Sequence, residues 1–474
     1  MTAADTGVDR YRIAARMERL PLSPWHNKLR LVVGSVNFSD AFDALTVAYV
    51  LPALIPLWHM VPAEIGTLIS MGYAGQVIGA ILSGWLAERY GRVPLMVGNI
   101  VLFSLMSLAC ILAQNYPTLL ALRFLQGIGL GGEVPIANTY ISEFAKSTRR
   151  GRFVLMQQLM FPIGLTTVAL VGIFVVPMLG WQWMFVLGGL PVLLALPMIR
   201  VLPESPRWLA SRGRDDEGDR ALTHIEALVS RHGAVALPPI PTDFAPAVAS
   251  VGRFRDLFAG IYRKRTLSLW VLWFCAYGIT YAMTGWLPSI MRTVYQQPVS
   301  QSNLYGFVLN IAGLLVLLLA VFTIDRIGRK VAFAGGFLLA AVPLLVAAFA
   351  PNVSALALAT LATLAFAAMG MIPGSLGMYT AENYPNHLRA IGNGATSVSQ
   401  RFSSVVSPYL VGVILPAYGV GGVYAMFAVF AVIGGITCAL FSIETAGKTL
   451  EELSPARAAD EPVEALARRG VGKA

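Results

Sequence analysis

Three polar side chains stand out in the first long apolar stretch of the chain. Asn37, Asp40 and Asp43 follow one another at intervals of three residues, so a helix would place them on one face. If that helix enters a membrane near Leu31, a rise of about 1.5 Å per residue puts Asp43 about 18 Å deep. A carboxylate there costs about 2.5 to 3.5 kcal/mol, so it must face a cavity or a partner. The pattern indicates a functional acid rather than a surface charge.

Arg401 carries a charge of the opposite sign to these acids. It lies about eight residues inside a later apolar run, on a helical face shared with Ser397, Ser404 and Pro408. A guanidinium at that depth can bind a carboxylate through two parallel hydrogen bonds. The alternative is that the side chain extends about 12 Å to the membrane surface.

Several weaker candidates could line a binding site. Tyr277 and Tyr281 belong to a helically spaced aromatic run with Trp270, Trp273 and Thr284, which could equally be packing. The other polar candidates in apolar runs could also simply hold helices together: Gln157, Gln158, Asn310 and Tyr379.

The composition of the chain predicts the structural elements that carry these residues. The chain has 474 residues, of which 56% are hydrophobic and 13% charged, too few polar residues for a water-soluble surface. About twelve apolar runs of roughly 20 residues predict transmembrane helices and exclude the short alternating strands of a barrel. We therefore expect an all-α membrane protein with twelve transmembrane helices in two six-helix repeats.

The charge distribution predicts the topology. The net charge is +10, but Lys and Arg gather in alternate connections, which indicates a cytoplasmic side rather than a nucleic-acid surface. An even number of spans then places both termini in the cytoplasm. The expected domains are a cytoplasmic segment 1–28, a six-helix bundle 29–201, a cytoplasmic loop 202–266 with short helices, a second bundle 267–443 and a tail 444–474.

A charged turn between two apolar runs recurs in the second half. Arg89, Gly91 and Arg92 return as Arg326, Gly328 and Arg329, each 237 positions later. Further landmarks recur at offsets of 239 or 240: Glu143 and Arg150 as Glu382 and Arg389, and Glu204 as Glu444. Such parallel repeats are typical of transporters whose substrate lies between two halves near the bilayer midplane.

These motifs resemble the major facilitator superfamily. The turn from Gly84 to Arg92 is similar to its loop signature, with Glu88 where Asp is usual, and Pro203 to Leu209 is similar to a motif of its sugar-porter branch. The resemblance implies that charges around these turns hold the cytoplasmic side closed, although they could be solvated surface charges. The implied gating residues are Glu88, Arg89, Arg92, Glu143, Arg150, Glu204, Asp325, Arg326, Arg329, Glu382, Arg389 and Glu444.

A finer resemblance is to niacin and aromatic-acid transporters of that superfamily. It rests on Asp40, Asp43, Arg401 and the run from Gly131 to Pro135, while the Gln pair and Trp usual in sugar porters are missing. Proton-coupled relatives pair a helix 1 Asp with a helix 4 Arg, which implies that Arg123 pairs with Asp43. Protonation of Asp43 would then release Arg123. Asp40 is an alternative proton carrier, and a structural ion pair is an alternative role.

The expected function is proton symport of a small organic anion, aromatic or otherwise niacin-like, across the bacterial inner membrane by alternating access. The chain shows no phosphate-binding loop, metal-ligand cluster or nucleophile with a base, so we expect neither an enzyme nor a cofactor. We expect a monomer that binds its substrate, protons and the lipid bilayer, but no nucleic acid. Two alternatives stay open: a sugar or polyol symporter or facilitator, and a membrane sensor that transports nothing.

Overall fold

The computed structural model describes residues 12–145, 153, 156–233, 237–240, 253–448 and 450–453, and the regular structure among them is helical. The N-terminal half contains the helices α1 (Pro24–Trp58), α2 (Pro62–Tyr90), α3 (Arg92–Cys110), α4 (Tyr116–Phe144), α5 (Met160–Leu179) and α6, which has two segments, Gln182–Gly189 and Val192–Val201.

The C-terminal half repeats this arrangement. It contains α7 (Gly260–Thr293), α8 (Val299–Ile327), α9 (Arg329–Phe349) and α10, in two segments, Ala355–Met369 and Met371–Glu382. A last helix, Asn386–Phe441, leaves helical geometry at Gly419, where φ is 65°. Its 56 residues are long enough for two crossings at about 1.5 Å per residue, so we call its arms α11 (386–418) and α12 (420–441).

The prediction of twelve spans in two sets of six is confirmed. Eleven helices among the described residues are long and apolar enough to cross a membrane, and the longest of them contains two arms. Local sequence explains several helix starts. Pro24 and Pro62 stand in the first turn, where a missing N–H costs nothing, and Asn115 accepts a hydrogen bond from the Thr118 N–H at 3.0 Å.

The two halves share a buried core over only part of their height. We call the membrane side with the Glu88–Arg92 and Asp325–Lys330 turns the turn side, and the opposite side the far side. One core joins the halves and includes Leu68 of α2 and Trp286 of α7. Its members from the N-terminal half lie from the far side to the middle, whereas in the C-terminal half it extends to the turn side, where it includes Tyr379. The turn side of the N-terminal half has a separate core. The halves are therefore packed together mainly on the far side.

The connections on the turn side carry short helices. One of the short helices predicted in the loop 202–266 is observed as Asp215–Gly233, and it packs against a helix at residues 12–18. Between them, Arg16 donates to Glu226 at 2.7 Å and also pairs with Asp219. Within the predicted loop 202–266, residues 234–236 and 241–252 lie outside the described residues, as do residue 449 and all residues beyond 453 of the predicted tail.

Candidate functional site

Asp43 lies at the centre of the N-terminal half, where α1, α3 and α4 meet. Its side chain is fully buried, and both of its carboxylate oxygens accept hydrogen bonds. Ser107 of α3 donates to Oδ1 at 2.9 Å, and the Gln126 side-chain amide of α4 donates to Oδ2. Two neutral donors therefore hold this carboxylate inside the membrane-spanning region.

Arg123 is connected to the Asp43 carboxylate through the Gln126 side chain and does not contact that carboxylate in a salt bridge. Its guanidinium donates to Gln126 Oε1 at 2.6 Å and to the backbone carbonyls of Asp43 and Ala44 at 3.3 and 3.2 Å. The salt bridges among the described residues do not include an Asp43–Arg123 pair, so the expected direct ion pair is corrected to a relay. The physical reason is that the Gln126 amide lies between them, accepting from one and donating to the other.

Asp40 lies one helical turn from Asp43 toward the turn side. It is 5% exposed, its Oδ1 has no hydrogen-bond partner, and it interacts electrostatically with Arg401 of the other half. Asp40 thus connects the acids of α1 with the arginine of α11.

Arg401 points across the boundary between the halves. One of its terminal nitrogens donates to the Gln76 carbonyl of α2, and the other donates to the Gly131 carbonyl of α4, both at 3.1 Å. Both acceptors lie near the middle of their helices, so the guanidinium is held at mid-height and does not extend to the surface. Among the described residues it forms no salt bridge, which leaves its charge available to an anion.

An aromatic column leads along α7 toward this arginine. The rings of Trp273 and Tyr277 stack with centroids 5.2 Å apart, and Tyr277 is followed by Tyr281 at 5.6 Å. Tyr281 contacts Tyr73 of α2 at 4.9 Å and interacts electrostatically with Arg401. The structure therefore brings the predicted Tyr277, Tyr281 and Arg401 to one region between the halves.

The remaining predicted binding residues separate into different places. Gln157 of the α5 region is fully buried with neither amide atom partnered, and the neighbouring Gln158 is half-buried. Asn310 of α8 donates to the Tyr49 hydroxyl of α1 at 2.9 Å, on the far side. It joins the halves there, away from Arg401.

Tyr379 requires a correction. Its hydroxyl donates to the Ile443 carbonyl at 2.8 Å, and its ring packs edge-on against Phe333 of α9. These contacts lie on the turn side, inside the C-terminal half. Tyr379 therefore connects α10 to the end of α12. Its ring is packed against Phe333 and its hydroxyl is bonded to a backbone carbonyl, so neither faces a substrate.

The first charged turn forms a network inside its own half. Arg92 pairs with Glu88 at 2.8 Å and with Glu143 at 3.4 Å, while Glu88 also pairs with Arg212 at 3.3 Å. The Arg89 guanidinium lies over the rings of Trp85 and Tyr90. Glu204 accepts from the backbone N–H groups that begin α3. Arg150 lies outside the described residues.

The second turn repeats these contacts in the other half. Arg329 pairs with Asp325 at 2.6 Å and with Glu382 at 3.4 Å, and Glu444 accepts from the backbone N–H groups that begin α9. Arg326 is exposed, and Arg389 donates to the Ala381 carbonyl. Among the described residues, the salt bridges of both turns stay within one half, so the halves are not locked to each other on the turn side.

Sequence comparisons place this chain in a known family. The family model described as Sugar (and other) transporter matches residues 58–456. The chain belongs to this family. It is a multi-pass membrane protein of the major facilitator superfamily, as the motifs predicted.

Two curated relatives match nearly the whole chain. The niacin transporter NiaP of Acinetobacter baylyi is 34% identical over 93% of this chain and 99% of its own length. The 4-hydroxybenzoate transporter PcaK of Pseudomonas aeruginosa is 31% identical over 85% of this chain and 89% of its own. The predicted resemblance to niacin and aromatic-acid transporters is confirmed.

The fold is similar to solved transporters. A partially occluded inward-open form of the xylose transporter XylE from E. coli matches with a TM-score of 0.69 at 20% identity, covering 90% of this chain and all of that one. At this identity the likeness supports the fold alone.

Two kinds of site residue were not predicted from the sequence. Gln126 and Glu133 were visible on the helical stripe of Arg123, and that spacing was the signal that could have identified them. Ser107 and Tyr73 gave no comparable signal, because an isolated hydroxyl or ring in an apolar run has many structural roles. Only the packing of α2, α3 and α7 brings them to the site.

Proposed function

We propose that this chain imports a small aromatic carboxylate together with protons across the bacterial inner membrane. The observation that carries the proposal is Arg401, a guanidinium held at mid-height between the halves by two backbone carbonyls, with no carboxylate in salt-bridge contact among the described residues. The names of the two curated relatives, a niacin and a 4-hydroxybenzoate transporter, support the same class of substrate.

Arg401 binds the substrate carboxylate, and the aromatic column receives its ring. A carboxylate can replace the two backbone acceptors with charge-assisted hydrogen bonds, which are roughly twice as strong as neutral ones. The Tyr277 and Tyr281 rings, next to Arg401, offer offset or edge contacts to a planar ring. Because Arg401 joins α11 to α2 and α4, exchanging those backbone bonds for a substrate loosens one contact between the halves.

The Gln126 relay couples a proton to the same rearrangement. While Asp43 is ionised, the Gln126 amide donates to it and its carbonyl accepts from Arg123. A proton on Oδ2 turns that oxygen into a donor, so Gln126 must turn its carbonyl toward Asp43. Its NH₂ group then faces Arg123, which is also a donor, and the Arg123 bond is lost. Asp40 is the second candidate for this proton.

Alternating access follows from the uneven packing of the halves. The structure is closed on the far side, where Asn310 bonds Tyr49 and Asn303 donates to the Gly172 carbonyl at 2.9 Å. We assign the turn side to the cytoplasm because its connections carry the cations, which places both termini there. The charge networks of the two turns act as gating elements on that side, and the protein works as a monomer. With this assignment we keep the five segments predicted from the sequence: 1–28, 29–201, 202–266, 267–443 and 444–474.

Counterflow in proteoliposomes tests the proposed function. Parent protein is loaded with unlabelled nicotinate, 4-hydroxybenzoate or xylose, and uptake of the matching labelled compound is followed. Saturable exchange of an aromatic carboxylate, lost in Arg401→Ala and kept in the exposed control Arg263→Ala, is the expected result. Exchange of xylose alone would support the sugar porter instead, and binding without any exchange would support a sensor.

A further inference from the structure

Glu133 of α4 is a buried acid that the relay does not use. Its side chain is 0% exposed, and neither carboxylate oxygen has a hydrogen-bond partner. Polar groups in such places are normally paired, and an isolated carboxylate without donors is strongly disfavoured as an ion. The environment of Glu133 therefore favours the protonated acid.

The antiparallel register of α1 and α4 places Glu133 beside the polar stripe of α1. Asp43 meets Gln126, and seven residues farther toward the turn side α4 reaches Glu133. Over the same distance, α1 passes Asp40 and then Asn37. Asp40 and Glu133 are close enough to interact electrostatically.

The same region contains further unpartnered polar atoms. Both polar side-chain atoms of Asn37, which is 1% exposed, lack hydrogen-bond partners, as does Oδ1 of Asp40. Amide oxygens are acceptors for an acid proton. Two carboxyl groups of like charge in a dry site cannot both ionise without a large repulsion, so one proton shared between them lowers the energy.

We propose that Asp40 and Glu133 form a second proton-binding site, separate from the Asp43 relay, with Glu133 as a transported-proton carrier. The inference rests on the proposed function, since it assumes that protons accompany the substrate. The charged and titratable groups around this carboxyl pair are Arg401 of α11, Asp43, Arg123, Tyr73 of α2 and Tyr281 of α7.

Arg401 links this second site to the substrate. Its guanidinium interacts electrostatically with Asp40 and donates to the carbonyl of Gly131, two residues before Glu133. A substrate carboxylate on Arg401 cancels the positive charge that favours an ionised Asp40. Substrate binding then favours protonation of the Asp40–Glu133 pair, and by linkage protonation favours substrate binding.

Infrared difference spectroscopy of the substrate-free protein tests the site without any transport. A pH titration in the parent should show protonated-carboxyl absorption with separate contributions that disappear in Glu133→Gln and in Asp43→Asn. Glu133→Asp should keep a titrating band at a shifted frequency. The titration is confined to pH values above about 6, where exposed carboxyl groups are generally ionised, so the exposed control Asp216→Asn should leave these bands unchanged. An unchanged band in Glu133→Gln overturns the proposal. A band that responds to sodium at constant pH also overturns it, in favour of a metal-cation site.

Accumulation driven by a pH gradient tests whether Glu133 carries a transported proton. Each cotransported proton contributes about tenfold to the accumulation ratio per pH unit of gradient. With labelled nicotinate or 4-hydroxybenzoate and a gradient of about one pH unit, Glu133→Gln should accumulate about tenfold less than the parent. Equal accumulation overturns the carrier role. A parent that shows no counterflow at all refutes the proposed function, while the infrared result still decides whether the second site exists.

Discussion

Glu204 and Glu444 accept equivalent backbone hydrogen bonds at corresponding places in the two halves. Glu204 accepts from the backbone N–H groups of Arg92 and Val93 at 3.1 and 3.2 Å, and Glu444 accepts from those of Arg329 and Lys330 at 2.9 and 3.0 Å. Each carboxylate therefore caps the first turn of the helix after a charged turn, where free N–H groups and the helix dipole favour a negative charge. The repeat seen in the sequence is thus a repeated cap as well as a repeated turn.

The cap of α9 makes stability depend on pH. Partial burial opposes ionisation of Glu444, but hydrogen bonds from backbone N–H groups, including those of Ala446 and Arg329, outweigh it and hold its pKa below the ordinary value of 4.5. A lowered pKa means that its stabilisation is complete above pH about 4.5 and is lost as the pH falls through the folded-state value. Glu444→Gln should therefore lower Tm at pH 7, and the difference from the parent should shrink below pH about 4. A Tm difference that stays constant from pH 7 down to pH about 3, or an equal effect of Asp216→Asn, would contradict this role.

Gly91 is required by the first cap. Its φ is +109°, and a Cβ atom there would lie 2.4 Å from Glu204 Oε2. Gly91→Ala should therefore lower Tm and destabilise the protein by about 1 kcal/mol or more, through backbone strain and displacement of the carboxylate. Gly84→Ala, in a helical position with open space around it, is the matched control and should be neutral or slightly stabilising. Equal Tm values for the two variants would show that the cap does not need this glycine.

Loss of the Gln126 relay should uncouple the Asp43 proton from transport. Gln126→Met keeps the side-chain length but removes the two hydrogen bonds that link the Asp43 carboxylate to the Arg123 guanidinium. Because the Asp43 proton is then no longer coupled, accumulation driven by a gradient of about one pH unit should fall about tenfold, whereas Gln301→Met, at an exposed position at the start of α8, should behave like the parent. The measurement is uptake of labelled 4-hydroxybenzoate with and without the gradient. A full response to the gradient in Gln126→Met would refute the relay.

The hydrogen bond between Asn310 and Tyr49 should help to keep the far side closed. Tyr49→Phe removes the bond from Asn310, worth about 1 kcal/mol, and should raise the population open on the far side about fivefold. The measurement is the labelling rate of a cysteine at the buried Ser289 position, in a background without the three native cysteines, using a membrane-impermeant maleimide. Tyr409→Phe, on an exposed position of α11, is the control. Unchanged labelling in Tyr49→Phe would show that this bond does not hold the far side shut.

The fold could be predicted because its signals are distributed along the chain. Each span needs about 20 apolar residues, and the cations mark alternate connections, so run length and charge are sufficient for the helix count. The recurrence of Arg92 as Arg329 and of Glu204 as Glu444 gave the division into halves. Contacts between elements that are distant in the sequence were harder to predict. The packing of the helix at 12–18 on Asp215–Gly233 depends on Arg16 and Glu226, which are 210 residues apart.

The candidate site was predictable only where one residue type implied one chemistry. Asp43 and Arg401 stood out because charges are rare in membrane helices. Their partners did not, since helix rotation decides whether Gln126 or Arg123 faces Asp43, and the register of α4 decides that Glu133 lies near Asp40. Tyr379 was misplaced for the same reason: a tyrosine in an apolar run can face a binding site or a packed core, and only tertiary contacts distinguish the two.

Ligand binding to the purified protein shows whether Arg401 binds a substrate carboxylate. Titration calorimetry with nicotinate and its neutral amide, nicotinamide, isolates the carboxylate. A charged hydrogen-bond pair worth about 1.5 to 3 kcal/mol predicts that the parent and Arg263→Ala bind nicotinate roughly 10- to 100-fold more tightly than nicotinamide. In Arg401→Ala this preference should vanish. An Arg401→Ala variant that still prefers nicotinate by the same factor would contradict the account.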